Sequence, residues 1–226
     1  MTSPGSPRKA DGRAARWAGQ RERRRREFVE AGLRAIARYG PDVSTEQIAE
    51  EAGVARTRLY KHFADATDLQ RAIAERAGEL ITAEFTGLWD PPGTPMRMIE
   101  DAIGAHTRWL ADHANLYRYL TRHSLSGHPG TRDVVADVKT AIARQLTTLF
   151  DRYLALFGMD TRPAEAIAYG VVGLVDSSTA RWLENPRDLD EAELATLLAR
   201  WTWHILDDTL RAGGVELDPG KPLPST

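Results

Sequence analysis

Cationic and hydroxyl side chains are concentrated in the short stretch ARTRLYKHF, residues 55–63. Arginine can donate two parallel hydrogen bonds to O6 and N7 of guanine, and a threonine methyl group packs against the methyl group of thymine. Both contacts require side chains in the first half of a helix that enters the DNA major groove. We therefore predict that Arg56, Thr57 and Arg58 contact base edges, whereas Leu59 belongs to a core.

The charge of the chain is unevenly distributed. Residues 1–64 contain 14 Lys and Arg against 8 Asp and Glu, a net charge of +6, whereas residues 65–226 carry a net charge of −8. A basic segment on an acidic body indicates that one end of the protein meets a polyanion.

Residues 1–20 are rich in Pro, Gly, Ser and Arg and show little periodicity, which predicts a flexible basic arm. Lys9, Arg13 and Arg16 of this arm have two interpretations. Either they enter a narrow minor groove, whose negative potential attracts arginine, or they only raise the local charge. In both cases the salt dependence of DNA binding becomes steeper, because each neutralised phosphate releases counterions.

Two short helices joined by a turn must position the predicted base contacts. Ser44 followed by Gln47 predicts a capping box at the start of a helix over 45–52, and Gly53 suits the left-handed position that ends it. A second short helix over about 55–62 follows at once. After the longer helix that ends near residue 40, this arrangement predicts a helix-turn-helix.

Phosphate contacts are expected beside the base contacts. Five arginines, including Arg24, occupy the six positions 21–26 at the start of the first helix and are expected near the DNA backbone. Ser44 and Thr45 lie at the N-terminus of the next helix, where free backbone amides and the helix dipole favour an anion.

The rest of the chain has helical periodicity and no sustained strand pattern. The sequence therefore predicts an all-α protein of about nine helices: an N-terminal three-helix DNA-binding module with a helix-turn-helix, and a C-terminal helical ligand and dimerisation domain. Pro and Gly breaks and capping residues place the later helices. They are expected over 66–89, 95–113, 115–124, 129–157, 163–184 and 189–212, the last with Asp188 and Glu191 as a capping box.

The stretch GPDVSTEQIAEEAGVARTRLYKHF, residues 40–63, resembles the N-terminal DNA-binding module of the TetR family of bacterial transcription regulators. The resemblance implies that Tyr60 and Lys61 contact phosphates and that the last two helices pair with those of a second copy. One departure is Ala55, where family members often have the Ser or Thr that caps the recognition helix. The implied protein is a homodimeric, ligand-responsive regulator, most simply a repressor, whose partner is a pseudo-palindromic double-stranded operator.

The predicted body has candidates for a ligand pocket. Apolar and aromatic side chains with a few polar groups are typical of small-molecule sites, which favours a small hydrophobic effector such as a fatty-acyl compound. The candidate lining residues are His106, Trp109, His113, Leu116, Tyr117, Leu120, Phe150, Tyr153 and Trp182. Arg118 and Arg122 are candidates for holding an anionic head group. His106 and His113 lie about 10 Å apart on a helix, too far to share a metal ion, so no metal or cofactor is expected.

Small residues mark the helix over 163–184. Gly170, Gly173, Ser177 and Ser178 alternate with Val and Leu, which permits close helix approach at a dimer interface or, alternatively, within one chain. Asp176 is the one acid among these apolar residues, and a capped or dimer-interface carboxylate is its simplest explanation.

Other classes of protein fit less well. The sequence has no cysteine, no Gly-rich phosphate loop, no zinc-protease motif and no nucleophile elbow, which disfavours an enzyme. No apolar run is long enough to span a bilayer, and no signal peptide is recognised, so we expect a cytoplasmic location without membrane contact. A ligand-independent architectural DNA-binding protein stays an alternative.

The expected domains are the arm 1–20, the DNA-binding domain 21–65, the ligand and dimer domain 66–213 and a frayed tail 214–226.

Overall fold

The computed structural model describes residues 8–85, 93–124 and 133–223, and within these residues it contains nine helices and no strand. The predicted all-α class is therefore confirmed. None of the described helices is both long enough and apolar enough to cross a bilayer. The helices are α1 Arg8–Tyr39, α2 Thr45–Glu51, α3 Arg56–Leu59, α4 Ala66–Phe85, α5 Pro95–Asp112, α6 Ala114–Ser124, α7 Val134–Leu156, α8 Ala164–Glu184 and α9 Glu191–Ala212.

The chain divides into two compact units. The first unit comprises Met1–Ala77 and Arg118–Arg132, and the second comprises Gly78–Tyr117 and Asp133–Thr226. This differs from the predicted boundary at residues 65 and 66, because the boundary falls inside the continuous helices α4 and α6. No change of composition marks those positions in the sequence.

The core of the first unit is built by α1, α2, α3 and the first part of α4. Its fully buried side chains include Ile36 of α1, Leu59 of α3 and Ile73 of α4. A side chain at Gly32 of α1 would clash with α4, because an added Cβ would lie 2.5 Å from Cδ1 of Ile73. The short helices of the DNA-binding module are therefore held by close packing on two longer ones.

A partly buried ion pair reinforces this packing. The Arg25 guanidinium donates two hydrogen bonds to the Asp68 carboxylate, of 2.7 and 3.0 Å, and one of 2.8 Å to the His62 carbonyl. It also lies 4.3 Å from the centroid of the Phe63 ring. Arg25 lies on the inward face of α1, three residues before the buried Phe28. Unlike its exposed neighbours in the arginine run, it therefore links α1 to α4.

Several predicted helix ends are corrected. The backbone of α1 is already helical from Arg8, so residues 8–20 are not the separate arm that the composition suggested, because the alanines and arginines between the glycines favour a helix. Parts of the predicted arm and helices lie outside the described residues, namely 1–7, 86–89 and 129–132. The side chains of Lys9, Arg13 and Arg16 are also not described. The capping box of α9 is formed by Asp190 and Glu193, not by Asp188 and Glu191.

The second unit has two core clusters. One contains Ile103 of α5, Val171 and Val175 of α8, and Leu198 of α9. The other joins the ends of α7 and α9 to the start of α8 and includes the residues that follow α9.

The C-terminal segment is folded against the second unit. Val215 and Leu217 pack against the second cluster, and the amide of Met96 donates a 3.1 Å hydrogen bond to the carbonyl of Pro219. The expectation of a frayed tail over 214–226 is thus wrong for residues 214–223, which the structure describes. Two apolar side chains in a Gly- and Pro-rich stretch are enough to anchor it.

The Arg25–Asp68 pair leads to a pH-dependent prediction. Hydrogen bonding from Arg25, with a further backbone bond from Ala64, holds the pKa of Asp68 below its usual range. A lowered carboxyl pKa stabilises the fold above the unfolded pKa, and that contribution is lost as pH falls through the folded pKa. We expect Asp68→Asn to lower the free energy of unfolding by about 1–2 kcal/mol at neutral pH, and the difference from the unsubstituted protein to shrink between pH ~5 and pH ~3.

Urea unfolding at several pH values measures this effect. The matched control is Glu27→Gln, which removes the exposed pair between Arg24 and Glu27 on α1. We expect the control to change stability by less than about 0.5 kcal/mol, since exposed pairs contribute little. Equal effects of both substitutions, or no pH dependence for Asp68→Asn, would contradict the structural role of the Arg25–Asp68 pair.

Candidate nucleic-acid interface and ligand cavity

The turn between α2 and α3 forms as the sequence predicts. Ser44 Oγ accepts a 3.2 Å hydrogen bond from the Gln47 amide, and the Gln47 side chain accepts a 2.8 Å bond from the Ser44 amide, which completes the capping box. Gly53 has φ +67°, the left-handed conformation in which glycine is favoured. Helix α3 is shorter than the predicted 55–62, and three turn residues follow it. Ala55 makes no side-chain cap.

Four of the predicted side chains, three on α3 and one in the turn that follows it, are exposed. Arg56, Thr57, Arg58 and Lys61 are all exposed, and within the described part of the chain neither Arg58 nor Lys61 forms an ion pair. Their charges are therefore available to an external anion. This is the arrangement that contacts with base edges and phosphates require.

Arg56 is held by residues on both sides of the turn. Its guanidinium forms an ion pair with Glu46 of α2, donates a 3.4 Å hydrogen bond to Tyr60 Oη, and lies 5.3 Å from the centroid of the Tyr60 ring. Hydrogen bonding from Arg56, and then from Thr45, lowers the pKa of Tyr60. Thr45, Glu46, Arg56 and Tyr60 thus form one exposed polar cluster that spans α2 and α3.

Arginines of α1 share the same electrostatic environment. The pKa of His62 is lowered, first by partial burial and then by the charges of Arg21, Arg24, Arg58 and Arg25. Arg24 itself is exposed and pairs with Glu27 at 2.8 Å. The positive charges of α1 and α3 therefore act on one region around His62. A protein with a basic helix-turn-helix of this kind belongs to the DNA-binding class.

The second unit contains an apolar cavity of about 220 Å³. It is lined by side chains of α5, α7, α8 and α9 and by the C-terminal segment. Representative lining residues are Ile99, Leu146, Val171, Val175, Trp203 and Leu217. An apolar concavity with a few polar groups is the usual form of a small-molecule site.

Three predicted ligand residues, His106, Phe150 and Tyr153, line this cavity. The others lie elsewhere: Trp109 stacks on His113 with ring centroids 4.5 Å apart, Leu116 and Leu120 are buried, and Trp182 Nε1 donates a 2.8 Å bond to the Leu189 carbonyl. The cavity lies against α5 from Pro95 to His106. Periodicity identifies the inward face of a helix, but not how far along that face a cavity extends.

A polar corner interrupts the apolar wall. Lys139 Nζ of α7 lies 3.0 Å from Asp176 Oδ2 of α8, and Asp176 is only 6% exposed. Burial, with a further effect of Asp176, raises the pKa of Tyr117 to about 12, and the two side chains are hydrogen-bonded. Burial also lowers the pKa of His106 to about 4, so that its ring is neutral near neutral pH. Asp176 is therefore paired within the chain, with Lys139, and forms part of the cavity wall.

Sequence reasoning missed several lining residues. Lys139, Thr202, Trp203 and Leu217 all line the cavity and were not predicted. The one available signal was a single lysine among the apolar residues of DVKTAIA, positions 137–143, matched by the single acid in GLVDSS, positions 173–178. Their pairing across two helices is a tertiary feature that neither pattern contains.

Comparisons with known proteins agree with this fold. Residues 28–73 match the family model for bacterial regulatory proteins of the tetR family. An HTH-type transcriptional regulator of Mycobacterium tuberculosis strain H37Rv is 33% identical over 221 residues, which are 96% of this chain and 92% of that protein.

Two solved structures have a similar fold. A tetR-family transcriptional regulator from Streptomyces coelicolor aligns with a TM-score of 0.69 and 23% identity over 84% of this chain and 83% of its own. The regulator FadR of Bacillus subtilis, solved in complex with stearoyl-CoA, aligns with a TM-score of 0.58 and 19% identity over 78% of this chain and 96% of its own. The chain belongs to the TetR family of bacterial regulatory proteins. It is a DNA-binding transcriptional regulator rather than an enzyme.

The contact between Glu46 and Arg56 leads to a second prediction. Glu46→Gln removes the carboxylate that neutralises Arg56, so the arginine becomes available to DNA. We expect tighter binding to scrambled DNA, with the log–log salt dependence steeper by up to about 0.9. Fluorescence anisotropy titrations at several salt concentrations measure both quantities.

Glu50→Gln is the matched control, because Glu50 is exposed on the same helix and does not pair with Arg56. It removes the same charge without releasing the arginine. If the two substitutions had equal effects, long-range charge alone would explain them, and the restraint of Arg56 by Glu46 would have no consequence for DNA binding.

Proposed function

We propose that this TetR-family regulator is a homodimeric repressor that leaves its operator when a small hydrophobic molecule, such as a fatty-acyl compound, occupies the cavity of the second unit. The observation that carries this proposal is the apolar cavity with a polar corner in the same chain as the helix-turn-helix. Its chemistry suits an apolar ligand with one polar group. A purely architectural DNA-binding protein has no need of such a cavity.

The solved relatives add support for the class of effector. FadR of Bacillus subtilis was crystallised with stearoyl-CoA, a molecule with a long apolar chain. A similar class of ligand fits a cavity whose walls are formed by Ile, Leu, Val and Phe side chains. The absence of cysteine is consistent with action in the reducing cytoplasm, where chromosomal DNA is bound.

The response requires a difference in ligand affinity between two conformers. We propose that the effector favours a conformer whose two recognition helices have the wrong spacing for one operator. A nearly complete switch needs about 5.5 kcal/mol of differential binding. Helices α4 and α6 are the natural transmitters, since each is continuous from one unit into the other.

Exposure and geometry support the proposed DNA roles. We propose that Arg56, Thr57 and Arg58 contact base edges, and that the remaining predicted residues position the protein on phosphates. This second group consists of Arg24, Ser44, Thr45, Tyr60 and Lys61.

Dimer formation is proposed through α8 and α9. Tyr169 of α8, and Trp201 and Ile205 of α9, are large apolar side chains that are 40%, 41% and 38% exposed. A Cβ added at Gly170 or Gly173 would meet no atom within 4 Å, so these glycines do not serve close packing inside the chain. An exposed apolar patch beside small residues favours a second copy as its partner.

The first test is anisotropy on DNA from upstream of the protein's own gene, with scrambled DNA as reference. We expect selective binding. Arg58→Ala should cost about tenfold on the operator and little on scrambled DNA, whereas Lys61→Ala should weaken both equally and reduce the salt slope by about 1. Arg162→Ala, at an exposed arginine of the second unit, is the control and should change neither.

The effector is tested in the same assay by adding stearoyl-CoA to the operator complex. We expect release, and we expect Leu146→Trp, which fills the cavity, to resist it. Leu156→Trp changes an exposed leucine on the same helix and should respond like the unsubstituted protein. A regulator that binds its operator but ignores stearoyl-CoA and shorter acyl compounds would refute this class of effector while leaving the DNA role intact.

The dimer prediction concerns Ile205→Glu, which places a charge in the proposed interface. We expect a monomer by sedimentation or light scattering, with operator affinity reduced at least tenfold because two half-sites can no longer be bound together. The control Leu156→Glu places the same charge at an exposed leucine of α7, outside the proposed interface, and should stay dimeric. A dimeric Ile205→Glu variant would place the interface on a different surface.

A further inference from the structure

The polar corner of the cavity restricts the kind of molecule that can bind there. Among the described residues that line the cavity, Lys139 is the one cation and Asp176 the one anion. Their charged atoms are 3.0 Å apart. The charged groups at the wall therefore sum to zero, and the remaining walls are almost wholly apolar.

The neighbouring polar groups add no charge. Burial keeps the His106 ring neutral near neutral pH, and the Tyr117 phenol is hydrogen-bonded to Asp176 and stays protonated. An ammonium group has three N–H donors, and Asp176 accepts one of those of Lys139. Two N–H donors of Lys139 therefore remain for an oxygen atom of a ligand while the ion pair stays formed.

We propose that the part of a ligand that enters the cavity is uncharged, an apolar chain that carries one hydrogen-bond-accepting oxygen, and that the cavity discriminates against the same chain with a free carboxylate or an ammonium group. A hydroxyl, an ester or a thioester carbonyl meets this requirement. The inference rests on the proposed function of the cavity as the effector site and names the chemical class of the effector.

Charge repulsion and desolvation account for the discrimination. A carboxylate that approaches Lys139 also approaches Asp176, and displacing Asp176 would leave a buried carboxylate without its partner, which is costly. An ammonium group meets the same difficulty with Lys139. The expectation that Arg118 or Arg122 holds an anionic head group gains no support, because neither lines the cavity and Arg122 forms an ion pair with Asp42.

Three probes of equal chain length test this inference: 1-decanol, decanoate and decylammonium. Each competes with the neutral fluorophore Nile red for the full-length protein near neutral pH, below the concentration at which micelles form. We expect 1-decanol to bind at least about tenfold more tightly than either ion, which corresponds to about 1.4 kcal/mol. The comparison needs no substitution and so does not depend on how a variant folds.

Charge variants then identify the residues responsible. Asp176→Asn leaves Lys139 as the only charge, so decanoate should gain about tenfold relative to 1-decanol, and Lys139→Met should favour decylammonium in the same way. The double variant should again prefer the alcohol. Asp101→Asn changes an exposed pair on α5 with Arg97, away from the cavity wall, and should keep the original preference.

The outcomes separate the inference from the proposed function. Preferential binding of 1-decanol over decanoate, abolished by Asp176→Asn, supports the inference, even if the operator complex is unaffected and the effector response itself fails. Decanoate binding as tightly as 1-decanol to the unsubstituted protein overturns the inference and leaves the effector cavity intact. Failure of all three probes to displace Nile red, or displacement that Leu146→Trp does not alter, overturns both.

Discussion

A recognition helix of four residues cannot maintain its own conformation in water, because nucleating a helix costs more than one turn of hydrogen bonds returns. Helix α3 also lacks a side-chain cap, since Ala55 stands at its start. Its orientation therefore depends on Leu59 and Phe63, which are buried against the longer helices of the first unit. Arg25 fixes those helices through Asp68. The positions of the exposed arginines on α3 are thus set by residues that are buried or paired within the first unit.

The cavity obeys a different constraint. Removing the Asp176 carboxylate from water costs free energy that its attraction to the partly exposed Lys139 only partly returns, so such an ion pair is a poor means of stabilising a helical body. Among the described lining residues, Lys139 and Asp176 nevertheless form the one charged pair on a wall that is mostly apolar. The proposed role in ligand recognition would explain this location, because the pair supplies hydrogen-bond donors without a net charge.

The parts of this structure that depend on local chemistry were predictable. The capping box at Ser44, the left-handed Gly53 and the all-helical class follow from short-range patterns, and the structure confirms them. Features that depend on distant residues were not predictable. In the sequence, Arg25 cannot be distinguished from the other arginines of the run. Its ion pair with Asp68 is visible only in the folded structure. For the same reason, periodicity identified the inward face of α5 but not which part of it lines the cavity. The lining residues run from Pro95 to His106, whereas Trp109 and His113 had also been predicted.

Continuity of α6 gives the proposed effector response a physical route. Tyr117 near its middle is hydrogen-bonded to Asp176 of the polar corner, and little more than one helical turn later Arg122 pairs with Asp42. Asp42 lies two residues before Ser44, the cap that begins α2. A ligand that changes the position of Asp176 therefore acts on a helix whose other end is tied to the start of the helix-turn-helix. Because backbone hydrogen bonds make a helix stiff over this length, the proposed response requires that a displacement of Tyr117 be transmitted along α6 rather than absorbed within it.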